Sequence, residues 1–171
     1  LLACVLTVLT KGWHGMYTFD SFVGVQRAHT QATPRVGGAA LLFGFACAAP
    51  LTDQATRELL YPTLLASSPA FIFGLAEDLT KRVGALQRLL ATMSSGVLGW
   101  YFTGVSLTSV GVPGIDQLLT VGAISVIFTA FAIGGVANSV NLIDGYNGMA
   151  SGFVVLALLS VASVATDVGD L

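Results

Sequence analysis

The sequence predicts an all-α fold, a polytopic transmembrane helix bundle of about six spans, and three observations carry that prediction. Hydrophobic residues fill 54% of the 171 positions and charged residues only 9%, where soluble domains carry roughly one quarter charged. The mean hydropathy is +0.82. The apolar residues also gather into runs, most of them near the roughly 17–25 residues that a membrane helix needs, with polar clusters between them.

Six spans follow in order along the chain. The first, Leu1 to Thr10, opens without an initiating Met and reads as the end of a helix whose earlier turns lie outside this sequence. A signal peptide would need a basic segment before the apolar run and a cleavage site behind it, and neither is evident. Val36 to Leu51 is slightly short; Leu59 to Ala76 carries Pro62 in its first turn, where a missing N–H costs little, and Pro69 further in, where a kink is expected. Leu89 to Leu107, Ile115 to Ala137 and Met149 to Ala165 complete the set. Gly134 and Gly135, with Ala132 and Ala137, form a small-residue surface suited to close helix packing in a bilayer. Cys4 and Cys47 lie in apolar runs and read as small hydrophobes, without a disulfide or zinc pattern. No repeat or linker divides residues 1–171, so a single membrane domain is expected.

Basic residues set the orientation. Lys11, Arg27 and Arg35 belong to the first loop and Lys81, Arg82 and Arg88 to the third, while Arg57 alone occupies the second. Positively charged loops stay in the cytoplasm, which puts the first, third and, by parity, fifth loops on that face. All the polar clusters then converge on one side of the membrane.

Three clusters are candidates for chemistry. In the first loop, Gln26-Arg27-Ala28-His29 precedes Thr33-Pro34-Arg35-Val36-Gly37-Gly38. Guanidinium and imidazole donors beside a Gly-Gly helix start suit an anion such as diphosphate. The alternative is a basic loop that only sets topology. In the third loop, Glu77 and Asp78 sit side by side at the end of an apolar helix, followed by Lys81 and Arg82. Adjacent carboxylates raise each other's pKa unless a cation compensates, so they suit Mg²⁺ binding or acid–base work. The alternative is a solvated helix end with the acids paired to Lys81 and Arg82.

The third cluster is the densest: Asn138-Ser139-Val140-Asn141-Leu142-Ile143-Asp144-Gly145-Tyr146-Asn147-Gly148, a polar loop wedged between apolar stretches. Bare polar groups in lipid cost several kcal/mol each, so such a loop needs partners. Asn supplies neutral oxygen ligands, and Mg²⁺ takes only a few protein oxygens alongside water and substrate phosphates. A turn-rich connector could use Asp-Gly and Asn-Gly for geometry alone, but it would not need so many polar side chains.

This run, with the order and spacing of the other two clusters from about Asp20 to Gly152, resembles the polyprenyl-phosphate N-acetylhexosamine-1-phosphate transferases, whose signature is Asn-x-x-Asn-Leu-x-Asp-Gly-x-Asn/Asp-Gly. The phospho-MurNAc-pentapeptide translocases are more distantly similar. The resemblance implies transfer of N-acetylhexosamine 1-phosphate from a UDP-sugar to undecaprenyl phosphate with release of UMP, in O-antigen or other cell-envelope polysaccharide initiation. It also implies Mg²⁺, or Mn²⁺ in its place, and a multi-pass protein of the bacterial inner membrane with its active face in the cytoplasm. The partners it implies are undecaprenyl phosphate, a UDP-N-acetylhexosamine and the lipid bilayer, with a homodimer left open and no nucleic acid. Carried over by motif, Asp78, Glu77 and Asp144 are the catalytic acids, and His29, Arg35, Lys81 and Asn147 bind substrate or nucleotide. Asn141 and Asp78 are the metal ligands. Many members carry Asp-Asp where this chain has Glu77-Asp78, which places the first acid's carboxylate about one C–C bond further out.

Members of that family continue with further spans and a Gly-Asp-x-Gly-Ser element, so the chain is expected to be part of a larger fold, truncated at both ends and inactive alone. Two other classes are weighed. A CDP-alcohol phosphotransferase needs Asp-Gly-x-x-Ala-Arg, which Asp144-Gly145-Tyr146-Asn147-Gly148-Met149 does not supply. A transporter fragment would place ionisable residues at mid-membrane, whereas here they collect at helix ends.

Overall fold

A computed structural model describes residues 5–6, 9–10, 37–143 and 149–169, and every regular element among them is helical. The described residues up to Asn138 belong to one compact unit and those from Ser139 onward to another.

In the first unit, α1 (Gly37–Ala48) starts at the Gly-Gly pair and runs into a single 3-10 turn, Ala49–Leu51. The Thr52 hydroxyl donates to the Ala49 carbonyl at 2.8 Å. Arg57 Nη2 donates to the carbonyls of Thr52 and Pro50, at 2.7 and 3.2 Å. The lone basic residue of the second loop therefore satisfies carbonyls that a helix end leaves without partners.

Asp53 then starts α2 (Gln54–Ala66), its carboxylate accepting from the Thr56 N–H at 2.9 Å and the Thr56 hydroxyl at 2.7 Å. These bonds, the backbone one first, hold its carboxyl below the usual carboxylate range. Because this cap begins the helix well before Leu59, Pro62 falls in the helix interior and not in a first turn, a correction to the sequence reading. The helix breaks at Ser67 and resumes as α3 (Ser68–Thr80), bent by 49° from α2.

Pro69, in the first turn of α3, explains the break. It has no N–H for the Leu65 carbonyl, and the Ser68 hydroxyl donates to that oxygen instead, at 2.7 Å. The next amide, Ala70 N–H, leaves the helix ladder and donates to Ser95 Oγ on α4 (Ala85–Thr103) at 3.0 Å. Ser95 is buried, so this bond gives its hydroxyl a partner that it could not readily find in water. Helix α4 returns along both α2 and α3, and α1 touches α3.

Helix α4 ends at Gly104, whose φ of 71° lets its N–H close back on the Trp100 carbonyl at 2.7 Å. The predicted span Ile115 to Ala137 is two helices, a five-residue α5 (Ile115–Leu119) and a long α6 (Gly122–Ile143). Between α4 and α5 the chain lies back on α6. Leu107 N–H donates to Thr129 Oγ1 at 2.8 Å, and Ser125 Oγ donates to the Leu107 carbonyl at 2.7 Å. Asp116 accepts from Val110 N–H at 2.7 Å and from Ser109 Oγ at 3.0 Å, closing the outer turn.

Helices α4 and α6 meet at glycine. A Cβ on Gly96 would stand 2.8 Å from Ala130 Cα, and one on Gly134 would stand 2.8 Å from Met93 Cγ. A Cβ on Gly135 would meet nothing within 4 Å, so of the two adjacent glycines it is Gly134 whose close packing a side chain would disturb. Among the described residues the interior of this unit is small apart from Leu119, with Ala40, Ala49, Ala66, Ala91 and Ala130 buried while Leu41, Phe43, Phe45, Leu65 and Ile127 are exposed. Soluble proteins bury the large apolar residues; a lipid-facing bundle has no such drive and packs backbone close through small ones.

The second unit holds the last turn of α6 and α7 (Met149–Val168), an apolar helix with its large side chains outward. Among the described residues, α6 and α7 are long and apolar enough to cross a membrane, and the bent α2–α3 pair makes a third span if taken as one. The stretch Gly37–Leu51 is apolar but shorter. Polar residues Gln87, Arg88, Thr92, Ser94 and Ser95 leave the 19-residue α4 short of that apolarity. The chain is an all-α membrane protein.

Candidate functional site

The last turn of α3 places Glu77 and Asp78 in succession, both part-exposed. The Thr80 hydroxyl donates to the Ala76 carbonyl at 2.6 Å, and the helix stops at Lys81, whose φ of 55° is left-handed and whose N–H donates to the Glu77 carbonyl at 2.7 Å. Lys81 is the one non-glycine residue with positive φ among those described. Glycine is the usual occupant of such a stop, because a Cβ there meets the following carbonyl.

A short connection then leads to Gly84, whose N–H donates to Gln87 Oε1 at 2.9 Å at the start of α4. This hairpin brings Arg88, in the first turns of α4, against Glu77. Arg88 Nη1 donates to Glu77 Oε2 at 2.5 Å, with 21% of each side chain exposed. Sequence reading paired the acids with Lys81 and Arg82 or with a metal, and gave Arg88 a part only in topology. The available signal was the tight turn: two helices joined by four residues bring the last turn of one beside the first of the next. Asp78 and Lys81 also make polar interactions of their own.

Asn141 lies in the last turn of α6, exposed and with a polar interaction of its own. The stretch Asn138 to Ile143, expected as loop, is therefore helix, because Val140, Leu142 and Ile143 continue the apolar pattern beyond Ala137. His29, Arg35, Asp144 and Asn147 lie outside the described residues. Gly37 and Gly38 form the first turn of α1, the Gly-Gly helix start that the sequence implied.

Among the described residues no three of His, Cys, Asp and Glu gather around a point. The two metal donors that the sequence implied are both hard oxygens, a carboxylate at Asp78 in the first unit and an amide at Asn141 in the second, and each by itself is a donor of the kind that Mg²⁺ takes alongside water and phosphate oxygens.

Residues 60–170 match the model of the family described as glycosyl transferase family 4. The chain belongs to glycosyl transferase family 4. The acidic end of α3 and the Asn138 to Gly148 run both lie within the matched region, which begins partway along α2. Across 94% of this chain, 26% of residues are identical to a decaprenyl-phosphate N-acetylglucosaminephosphotransferase of Mycolicibacterium smegmatis, over 43% of that protein's length. The enzyme of the same name from Mycobacterium tuberculosis is 29% identical over 78% of this chain and 35% of its own. A phospho-N-acetylmuramoyl-pentapeptide-transferase of Clostridium perfringens is 27% identical over 81% and 46% respectively. This member of glycosyl transferase family 4 spans less than half the length of each of these curated relatives. No solved structure gives a significant match.

Proposed function

We propose that this chain carries part of the catalytic face of a membrane transferase that moves N-acetylhexosamine 1-phosphate from a UDP-sugar to undecaprenyl phosphate, releasing UMP, at the cytoplasmic side of the bacterial inner membrane. The observation that carries this reading is the family match over residues 60–170, which embraces the acidic end of α3 and the Asn-rich run. Relatives named for phosphotransfer to decaprenyl phosphate and for phospho-N-acetylmuramoyl-pentapeptide transfer support a polyprenyl-phosphate acceptor and an N-acetylhexosamine donor. Initiation of O-antigen or a related envelope polysaccharide is the setting proposed.

In this reaction a lipid phosphate oxygen attacks the phosphorus attached to the sugar, a new P–O bond forms, and the bond to the UMP phosphate breaks. With a second pKa near ~6 the attacking phosphate is already largely anionic at neutral pH, so a strong base is not essential. The task of the protein is to position two anions against each other and to offset their charge. Asp78 and Asn141 are proposed to hold Mg²⁺, and Lys81, Arg35 and His29 to contact the phosphates of donor or acceptor. When bound, Mg²⁺ supplies charge neutralisation at the diphosphate. Asp144 and Asn147 are proposed for the turn that receives the nucleotide.

The test is transfer of label from a panel of UDP-N-acetylhexosamines into lipid by membranes containing the full-length protein, with undecaprenyl and decaprenyl phosphate as acceptors and UMP release followed in parallel. Label should enter lipid in step with UMP, and Asp78→Asn and Asn141→Ala should each lower the rate by ~10²–10³-fold. Wild-type rates in both variants would return the two clusters to a structural role.

A further inference from the structure

The stretch between α4 and α6, residues 105–121, has the composition of a span and not of a loop in water. From Leu89 to Ile143 the sequence carries one charged residue, Asp116. Val105, Val112, Ile115, Leu118 and Val121 expose their apolar side chains, Val105 to 68%, while Leu119 is buried. An apolar surface gathered in this way marks a place where something other than water lies against the protein.

The backbone of the segment is arranged for a medium poor in water. Helix α6 has 22 residues, about 33 Å at 1.5 Å each, little more than a hydrocarbon core of roughly 30 Å. Thr129 stands about 10 Å along it from Gly122, and Leu107 lies beside Thr129. The segment therefore doubles back on the outer third of α6 instead of rising away from it. At that depth a bare peptide group is costly. Both peptide groups of Leu107 are bonded, its N–H to Thr129 and its carbonyl to Ser125, and these two side chains are buried. Further along, Asp116 accepts from Val110 N–H, and Leu118 N–H donates to the Gly114 carbonyl at 3.3 Å. Trp100, Tyr101 and Phe102, all exposed, form the last turn of α4 just before the segment begins. Trp and Tyr favour the boundary between acyl chains and headgroups, which sets the level at which the segment starts.

We infer that residues 105–121 form an interfacial flap in the lipid leaflet opposite the acidic end of α3, with the exposed apolar side chains against acyl chains and Asp116 at headgroup level. The occupant of this surface is lipid. The surface continues the exposed apolar faces of α4 and α6, and its single charged group is engaged by the segment's own turn.

The full-length protein in phospholipid vesicles tests this, with its other cysteines replaced and a nitroxide attached at Val105→Cys, Val112→Cys or Leu118→Cys in turn. Collisions with oxygen, which concentrates in lipid, and with a water-soluble nickel chelate are measured at each site. Gln54→Cys serves as the water reference and Leu156→Cys, on α7, as the lipid reference. Oxygen collisions should exceed nickel collisions severalfold at the three flap sites, by a smaller ratio than at Leu156→Cys because the flap is shallower. Nickel collisions dominating, as at Gln54→Cys, would make the segment a water-facing loop and overturn the inference. Low collision rates with both reagents would mean that protein, a second copy or another part of the full-length chain, covers the surface, and would overturn the lipid occupant. Without any substitution, a phospholipid carrying a diazirine high on its acyl chain should mark peptides from residues 105–121; marking of α7 with none in that segment would equally overturn it.

Discussion

Replacing Lys81 separates what its backbone does from what its side chain does. Its left-handed conformation ends α3 and turns the chain toward α4. For a residue with a Cβ that conformation costs about 1–2 kcal/mol. Glycine avoids this cost but loses about 0.5–1 kcal/mol more conformational freedom on folding, which leaves a net advantage of about 1 kcal/mol over alanine. Both Lys81→Gly and Lys81→Ala delete the same charge, so any favourable effect of a cation at a helix C-terminus cancels between them. Lys81→Gly should therefore melt about 2–4 °C above Lys81→Ala, the shift expected from about 1 kcal/mol in a chain of this size. If the ammonium contacts a phosphate in the transition state, both variants should lose ~10²–10³-fold in transfer rate. The pair is assayed in one detergent preparation of the full-length protein by thermal unfolding and by UMP release. Alanine as stable as glycine would refute the strain argument. Activity within about 2-fold of wild type in both variants would leave Lys81 a helix stop and nothing more.

Three other outcomes follow from the packing and the charges. Gly96→Ala drives a Cβ to 2.8 Å from the backbone of Ala130 and should cost about 1–3 kcal/mol in thermal unfolding, more than Gly134→Ala, where the obstacle is the flexible Met93 side chain, while Gly135→Ala should be near neutral. Asp116 is held below the ordinary carboxylate range, first by the Val110 N–H. Its support for the turn is thus complete above the unfolded value of ~3.9 and fades as pH falls toward the lower folded one, so exchange protection of the Val110 amide should drop there, and Asp116→Asn should abolish that pH dependence. With Cys4 and Cys47 replaced, Thr80→Cys and Ser139→Cys should resist an impermeant thiol reagent in intact cells while Gln54→Cys labels; external labelling at Ser139→Cys would overturn the common cytoplasmic face.

The apolar runs were legible because membrane helices announce themselves by length and composition, and α7 lies close to where its run predicts. Breaks inside a run were less legible. Pro69 pointed to a kink, yet the break lies at Ser67, since a proline disturbs the turn before it and the hydroxyl of Ser68 takes over the orphaned carbonyl. The start of α2 was missed because Asp53 and Thr56 extend the helix through Gln54-Ala55-Thr56-Arg57-Glu58, a stretch too polar to count as span. The acids of α3 were found from their adjacency. Their partner was not, because Arg88 is eleven positions from Glu77 and only the hairpin makes them neighbours. The Asn-rich run was recognised by composition, but its first half proved helical, since asparagine is tolerated near a helix end where apolar neighbours keep one face dry.

The hydrogen bond from Ala70 to Ser95 turns the bend between α2 and α3 into a fixed pivot with a long arm beyond it. From Ser67 to Asp78 that arm measures about 16 Å, at 1.5 Å per residue. A rotation of only ~5° at the pivot would sweep the carboxylates through more than 1 Å, a misplacement of the size that can cost ~10²-fold in rate. A buried serine on the neighbouring helix thus sets the aim of the acids, and α4 restrains the arm twice: at its fulcrum through Ser95 and near its tip through Arg88.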